Sequence, residues 1–183
     1  MVAAVGSFAV MVGVMNLAGY VAVGHHHSHG SIFTIISLHI VGMYGLVLVV
    51  GDLVERIGRR RSIAIGLALM AVANAGLVWL DSITGMAVSL FGLGLGWNLS
   101  YVAATTELVS LAGPAERGRL IGFSDRLSSL AGAALALGGG VVYTAGGSVP
   151  LAVLAAALAA VPACWILLLP SAVGGRLVRR FSV

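Results

Sequence analysis

Six apolar runs take up most of the 183 residues, and the few charges fall mainly between them. The runs are 3–23, 31–51, 62–80, 83–110, 120–143 and 149–169. Crossing a hydrocarbon core ~30 Å thick takes ~20 residues at ~1.5 Å each, and the runs meet that length. Only 9% of the chain is charged and its mean hydropathy is +1.08, whereas about a quarter of an average soluble domain is charged. A water-soluble fold would lack the polar surface to cover itself. The expected fold is an all-α integral membrane protein with six transmembrane helices in one domain, 1–183, and the lipid bilayer is its first partner.

The basic residues report topology. All ten are arginine, in three patches: Arg56, Arg59, Arg60 and Arg61; Arg117, Arg119 and Arg126; Arg176, Arg179 and Arg180. Six crossings put these patches and both termini on one side, and the opposite loops carry no Lys or Arg. The positive-inside bias makes that side cytoplasmic, in a plasma or inner cell membrane. No basic residue precedes Arg56, so the first run reads as a retained helix rather than a cleaved secretory signal. Neither an aromatic-interleaved basic groove nor a zinc-finger spacing is present, and no nucleic-acid partner is expected. Cys164 is the only cysteine, so it forms no internal disulfide, and it reads as a buried small residue.

The second and third runs are joined by Gly51-Asp52-Leu53-Val54-Glu55-Arg56-Ile57-Gly58-Arg59-Arg60-Arg61, read as a short turn in which Gly51 and Gly58 allow tight geometry. This stretch resembles motif A of the major facilitator superfamily, approximately Gly-x-Leu-Ala-Asp-Arg-x-Gly-Arg-Arg. Gly51, Leu53, Arg56, Gly58, Arg59 and Arg60 match, and Glu55 stands where the motif has Asp. His39-Ile40-Val41-Gly42-Met43-Tyr44-Gly45, Gly94-Leu95-Gly96-Trp97-Asn98 and Pro114-Ala115-Glu116-Arg117 followed by Gly122-Phe123-Ser124-Asp125 extend the likeness to a bacterial subgroup.

The resemblance implies the C-terminal six-helix half, helices seven to twelve, of a secondary transporter. It implies transport of a small-molecule substrate by alternating access, with the substrate held near the midplane between two halves. Gly51, Glu55, Arg56, Gly58 and Arg59 would then contribute to gating. A working unit would need an N-terminal-type half or a second copy as partner. No ATP-binding loop occurs, which leaves an ion gradient, protons first, as the coupling, and the subgroup likeness points to efflux of amphiphilic compounds. The alternative is a non-transporting structural or partner-binding membrane fragment.

Individual residues carry rival readings. Glu107, Asp125 and Arg126 fall close to the cytoplasmic ends of neighbouring helices, where pairing among them would lower the cost of desolvation. They read as an interfacial salt bridge, or as a latch on the inner side. His39 is a cavity-lining proton acceptor or a packed, hydrogen-bonded core histidine. Asn16, Tyr44, Asn74 and Asn98 either face polar substrate or bond across helices, and Trp97 is a candidate aromatic wall beside Asn98. Trp79 and Trp165 suit interface anchoring.

His25, His26, His27 and His29 have imidazoles that could take Zn²⁺, Cu²⁺ or Ni²⁺, but no Cys or carboxylate accompanies them, so a polar loop is the main reading. No strand precedes Gly92-Leu93-Gly94-Leu95-Gly96, so no dinucleotide cofactor is expected, and close helix packing is the better use of these glycines. Gly132, Gly138, Gly139 and Gly140 likewise suggest backbone approach or a bend. His39 has no acidic partner near it in sequence and no His-Glu-x-x-His occurs, so an enzyme is not expected.

Overall fold

A computed structural model describes residues 1–24, 29–79 and 82–168, with side chains at 1–16, 30–77 and 82–168. His25, His26, His27, Asp81, Arg176, Arg179 and Arg180 lie outside the described residues, as do the side chains of His29 and Trp79. Every described element is helical: α1 (Val2–Gly24), α2 (His29–Ile40), a π-helical turn (Val41–Gly45), α3 (Val47–Ile57), α4 (Arg59–Trp79), α5 (Ile83–Ser110), α6 (Arg117–Gly146) and α7 (Ser148–Leu168).

Local chemistry sets several boundaries. Ser82 starts α5 from an extended backbone, its Oγ accepting from the Gly85 amide at 3.1 Å, which satisfies one of the donors a helix start leaves free. At the other end of α6, Gly147 takes φ 78°, a conformation open to glycine at little cost, and α7 begins one residue later.

The arginine-rich stretch is less of a turn than its sequence suggested. Gly51 to Ile57 continue α3, and Asp52 and Arg56 pair at 2.8 Å one helical turn apart, supporting that continuation. Gly51 is therefore helical. Only Gly58, at φ 88°, leaves the helix before Arg59 opens α4. The second apolar run is also not one straight helix, since it breaks at the π-turn and α2 and α3 meet at a 49° bend. Pro114 lies in the turn ahead of α6, and Ser124 to Arg126 lie inside that helix.

The bundle is built around α5. It packs against α4, α2, α1, α3, the π-turn and α6, while α4 also packs on α7 and α1 on α6. Of its most apolar stretch 67% is buried, against 17% for α6 and 28% for α7, so α5 is the inner helix and the other two present long apolar faces outward. Small residues allow that central position. A Cβ on Gly94 would stand 2.5 Å from the His39 carbonyl oxygen, and one on Gly42 2.5 Å from that of Phe91. The Gly92–Gly96 segment is thus a close-packing surface. In α6, Gly132 faces Val12 closely, whereas Gly138 and Gly140 have open space where a side chain would go, and the helix runs unbroken past them.

Among the described residues α5, α6 and α7 are long and apolar enough to cross a membrane, and α2 with α3 gives a fourth crossing if their bend lies within one span. The described side chains of α1 stop at Asn16, and α4 opens on Arg59, Arg60 and Arg61. The chain is an all-α, multi-pass membrane protein. Cys164, expected to be buried, is exposed on the outer face of α7, where a thiol is an acceptable small group against lipid.

Candidate solute site

Four aromatic rings from α1, the π-turn and α5 gather on one side of the bundle. Trp97 and Tyr101, one helical turn apart on α5, are stacked with centroids 5.1 Å apart and planes 15° from parallel. Phe8 of α1 leans on both, at 6.3 Å from Trp97 and 5.7 Å from Tyr101. Tyr44 meets Trp97 nearly perpendicular, at 6.0 Å and 76°. Both arrangements are ones that aromatic quadrupoles favour. Trp97 is 7% exposed and Tyr44 59%, so the cluster runs from the core to an open side.

A carboxylate closes one end. The Tyr101 hydroxyl donates to Asp125 Oδ1 at 2.7 Å, linking α5 to α6. Asp125 is eight residues past Arg117, ~12 Å along α6, and Trp97 is thirteen residues from Ser110, ~20 Å along α5. The cluster therefore extends from about the middle of α5 toward the arginine-rich end. Asp125 is half-buried, and a charge at that depth is costly unless it is hydrogen-bonded.

Several buried polar atoms nearby lack partners. The Trp97 indole N–H and the Asn98 amide nitrogen have none, nor has Ser124 Oγ beside Asp125. Such atoms are costly in a core and are candidates for a ligand contact. Asn74 donates to the Met70 carbonyl at 2.9 Å within its own helix, leaving its side-chain oxygen unpartnered and buried. His39 Nδ1 lies 2.7 Å from the Leu90 carbonyl oxygen. A carbonyl can only accept, so Nδ1 carries the proton and Nε2 is left as a buried acceptor without a partner. His39 is thus a packed, hydrogen-bonded residue pinning α2 to α5. Asn16 is exposed and bonds back to the Val12 carbonyl at 2.8 Å.

The charged residues pair differently from the expected group of Glu107, Asp125 and Arg126. Glu107 pairs with Arg59 at 3.2 Å, joining the start of α4 to the end of α5, while Asp125 pairs with Tyr101. Arg126 lines an open groove of about 880 Å³ at the arginine-rich end, together with Arg119, Glu116 and Phe123. Of the motif residues, Glu55 and Arg56 are exposed and Arg59 is half-buried. Arg60 is tied most firmly. Its Nε and Nη2 both donate to the Ile166 carbonyl, the former at 3.0 Å, so its guanidinium caps the last turn of α7. Sequence spacing gave no sign of that contact, 106 residues away. Nor did it show Phe8 and Tyr101 as members of the aromatic group. Among the described residues no group of three or more His, Cys, Asp and Glu is placed to hold a metal ion.

Comparisons with known proteins agree on the family. The riboflavin transporter RfnT of Brucella anthropi is 32% identical over 123 residues, 67% of this chain and 31% of its own. Two uncharacterized MFS-type transporters of Bacillus subtilis, YdeG and YddS, are 35% and 33% identical over 127 and 128 residues. These matches cover 68% of this chain and 30% and 29% of theirs, so the matched part of the chain spans about three tenths of the length of these relatives. The Major Facilitator Superfamily model matches residues 1–180, and the chain belongs to that superfamily of transporters, which are not enzymes.

Proposed function

We propose that the chain takes part in moving a small solute across a membrane by alternating access, as a six-span unit similar to the C-terminal half of a facilitator with both ends cytoplasmic. The observation that carries this reading is the open-sided wall of Phe8, Tyr44, Trp97 and Tyr101 with Asp125 at its end, built from α1, the π-turn, α5 and α6. An aromatic surface with a few convergent polar groups is the usual make-up of a small-molecule site. Asp125, deep in α6 and bonded to Tyr101, is the group proposed to couple flux to protons, in the direction of efflux. Gly51, Glu55, Arg56, Gly58 and Arg59, with Glu107 bonded to Arg59, form the gating corner of this reading. The second wall of the cavity would come from an N-terminal-type half or a second copy.

A second reading, a non-transporting or partner-binding membrane fragment, is favoured by the chain's covering only 31% of RfnT's length. Reconstitution in liposomes separates the two. The expected outcome is gradient-dependent flux of at least one member of a panel of amphiphilic solutes, riboflavin among them because of the relative's name. A defined dimer in native nanodiscs should accompany it. A stable monomer with no flux on any solute supports the second reading.

A further inference from the structure

We propose that the Trp97–Tyr101 stack is a platform for a flat, conjugated heteroaromatic ring, and that Tyr44 is the clamp that closes on it. This rests on the transport reading above and names the class of solute that the same wall takes.

Three observations converge on flatness. Trp97 and Tyr101 lie within 15° of parallel, a stack that a further planar ring can extend on an outer face. Tyr44 already touches Trp97 yet is 59% exposed, so its ring can swing without leaving a hole in the core. Its backbone is a single π-helical turn containing Gly42 and Gly45, at the 49° break between α2 and α3. Such turns interrupt a helix at the expense of regular hydrogen bonding and recur at functional positions. Here the turn carries the most exposed of the four rings.

One further observation points to the ligand's polarity. The Trp97 indole N–H is buried and has no hydrogen-bond partner. Leaving such a donor unpaired is costly, and a ring carbonyl or ring nitrogen on the solute would supply the acceptor. The ligand class is therefore a planar heteroaromatic with an acceptor at its edge. A bulky organic cation drawn to the aromatic faces and to Asp125 is the competing ligand.

The test uses the full chain in lipid nanodiscs, titrated with lumichrome, a flat neutral tricycle with ring carbonyls, and separately with tetraphenylphosphonium, a globular cation. Empty nanodiscs correct for partitioning. Lumichrome should bind saturably and tetraphenylphosphonium should not. Removing one stacking ring in Tyr44→Ala should weaken lumichrome roughly tenfold, and Tyr44→Phe should retain affinity within about twofold, because the ring rather than the hydroxyl does the clamping. Equal affinity in Tyr44→Ala, tighter binding of tetraphenylphosphonium, or no saturable binding of lumichrome overturns the proposal. Liposome flux separates it from the reading beneath it. Flux of other solutes without lumichrome binding leaves transport standing and removes the clamp, whereas lumichrome binding without any flux leaves the clamp and removes transport by this chain.

Discussion

Gly66 of α4 and Gly96 of α5 lie backbone against backbone. A Cβ on Gly66 would stand 2.6 Å from the Gly96 carbonyl oxygen, and a Cβ on Gly96 would stand 2.7 Å from the carbonyl oxygen of Gly66. Main-chain atoms cannot swing aside as a flexible side chain does, so any added carbon must push two helices apart. Gly96→Leu should cost well over the roughly 1–3 kcal/mol of ordinary overpacking, and Gly66→Ala should fall within that range. Thermal unfolding in detergent, followed by loss of the monodisperse peak, measures it. A wild-type midpoint in Gly96→Leu would contradict the packing described for α4 and α5.

Arg60 holds the end of α7 by two charge-assisted hydrogen bonds to Ile166. Arg60→Ala should destabilise the protein by roughly 1.5–3 kcal/mol, the range for hydrogen bonds to a charged group. Arg60→Lys should recover only part, because an ammonium lacks the planar fork that places two donors on one oxygen. Hydrogen exchange localises the effect: faster exchange in the last turn of α7, with α5 unchanged, is the expected pattern.

The Arg59–Glu107 pair is half in solvent, with side-chain exposures of 41% and 48%. Exposed pairs contribute about 0–1 kcal/mol and weaken with salt. A double-mutant cycle with Arg59→Gln and Glu107→Gln should therefore give a coupling energy below ~1 kcal/mol that shrinks as salt rises. A coupling several-fold larger, insensitive to salt, would require a more enclosed contact than the one described.

Asp125 and Tyr101 allow a test of proton coupling. Asp125→Asn keeps an acceptor for the Tyr101 hydroxyl and removes the titrating group. If the carboxylate carries the coupling proton, this variant should lose gradient-driven flux by at least about tenfold while solute exchange without a gradient survives, the pattern of a lost proton site rather than a lost binding site. Tyr101→Phe removes the donor and should impair both modes to a smaller degree. Parallel loss of driven flux and exchange in Asp125→Asn would assign Asp125 to folding or solute binding instead.

How much was legible in the sequence follows from what kind of signal each feature leaves. The all-helical membrane character and the superfamily come from features that local sequence carries directly: long apolar runs, and the matches at Gly51, Leu53, Arg56, Gly58, Arg59 and Arg60. The close packing of Gly94 and Gly96 was also readable, because glycine without a strand context leaves few other uses. The partners of the charged groups were not. Nearness in sequence and a shared membrane end suggested Glu107, Asp125 and Arg126 as one group, but helix rotation decides pairing, and it turns Glu107 toward Arg59 and Asp125 toward Tyr101. The π-turn left no signal either, since Val41 to Gly45 read as ordinary apolar helix, and the close approach of Gly42 to Phe91 on α5 lies 49 residues away along the chain. The short turn expected at Gly51 failed because one glycine weakens a helix by only ~0.5–1 kcal/mol, which the continuing helix around it, with the Asp52–Arg56 pair adding ~0.2–0.5 kcal/mol, is enough to outweigh.

The central position of α5 has a consequence for how the protein is made. The main packing partners of α1 are α6 and α5, and that of α2 is α5. During synthesis the ribosome delivers α1, α2, α3 and α4 before any of α5 exists, so the first two helices have little of their native contact surface available. Their native packing can be completed only after α5, ending at Ser110, has been made, and α1 is sealed only when α6 follows. Substitutions at the glycines of α5 would then be felt first as failed assembly of helices inserted earlier, with degradation of the nascent chain ahead of any loss of transport.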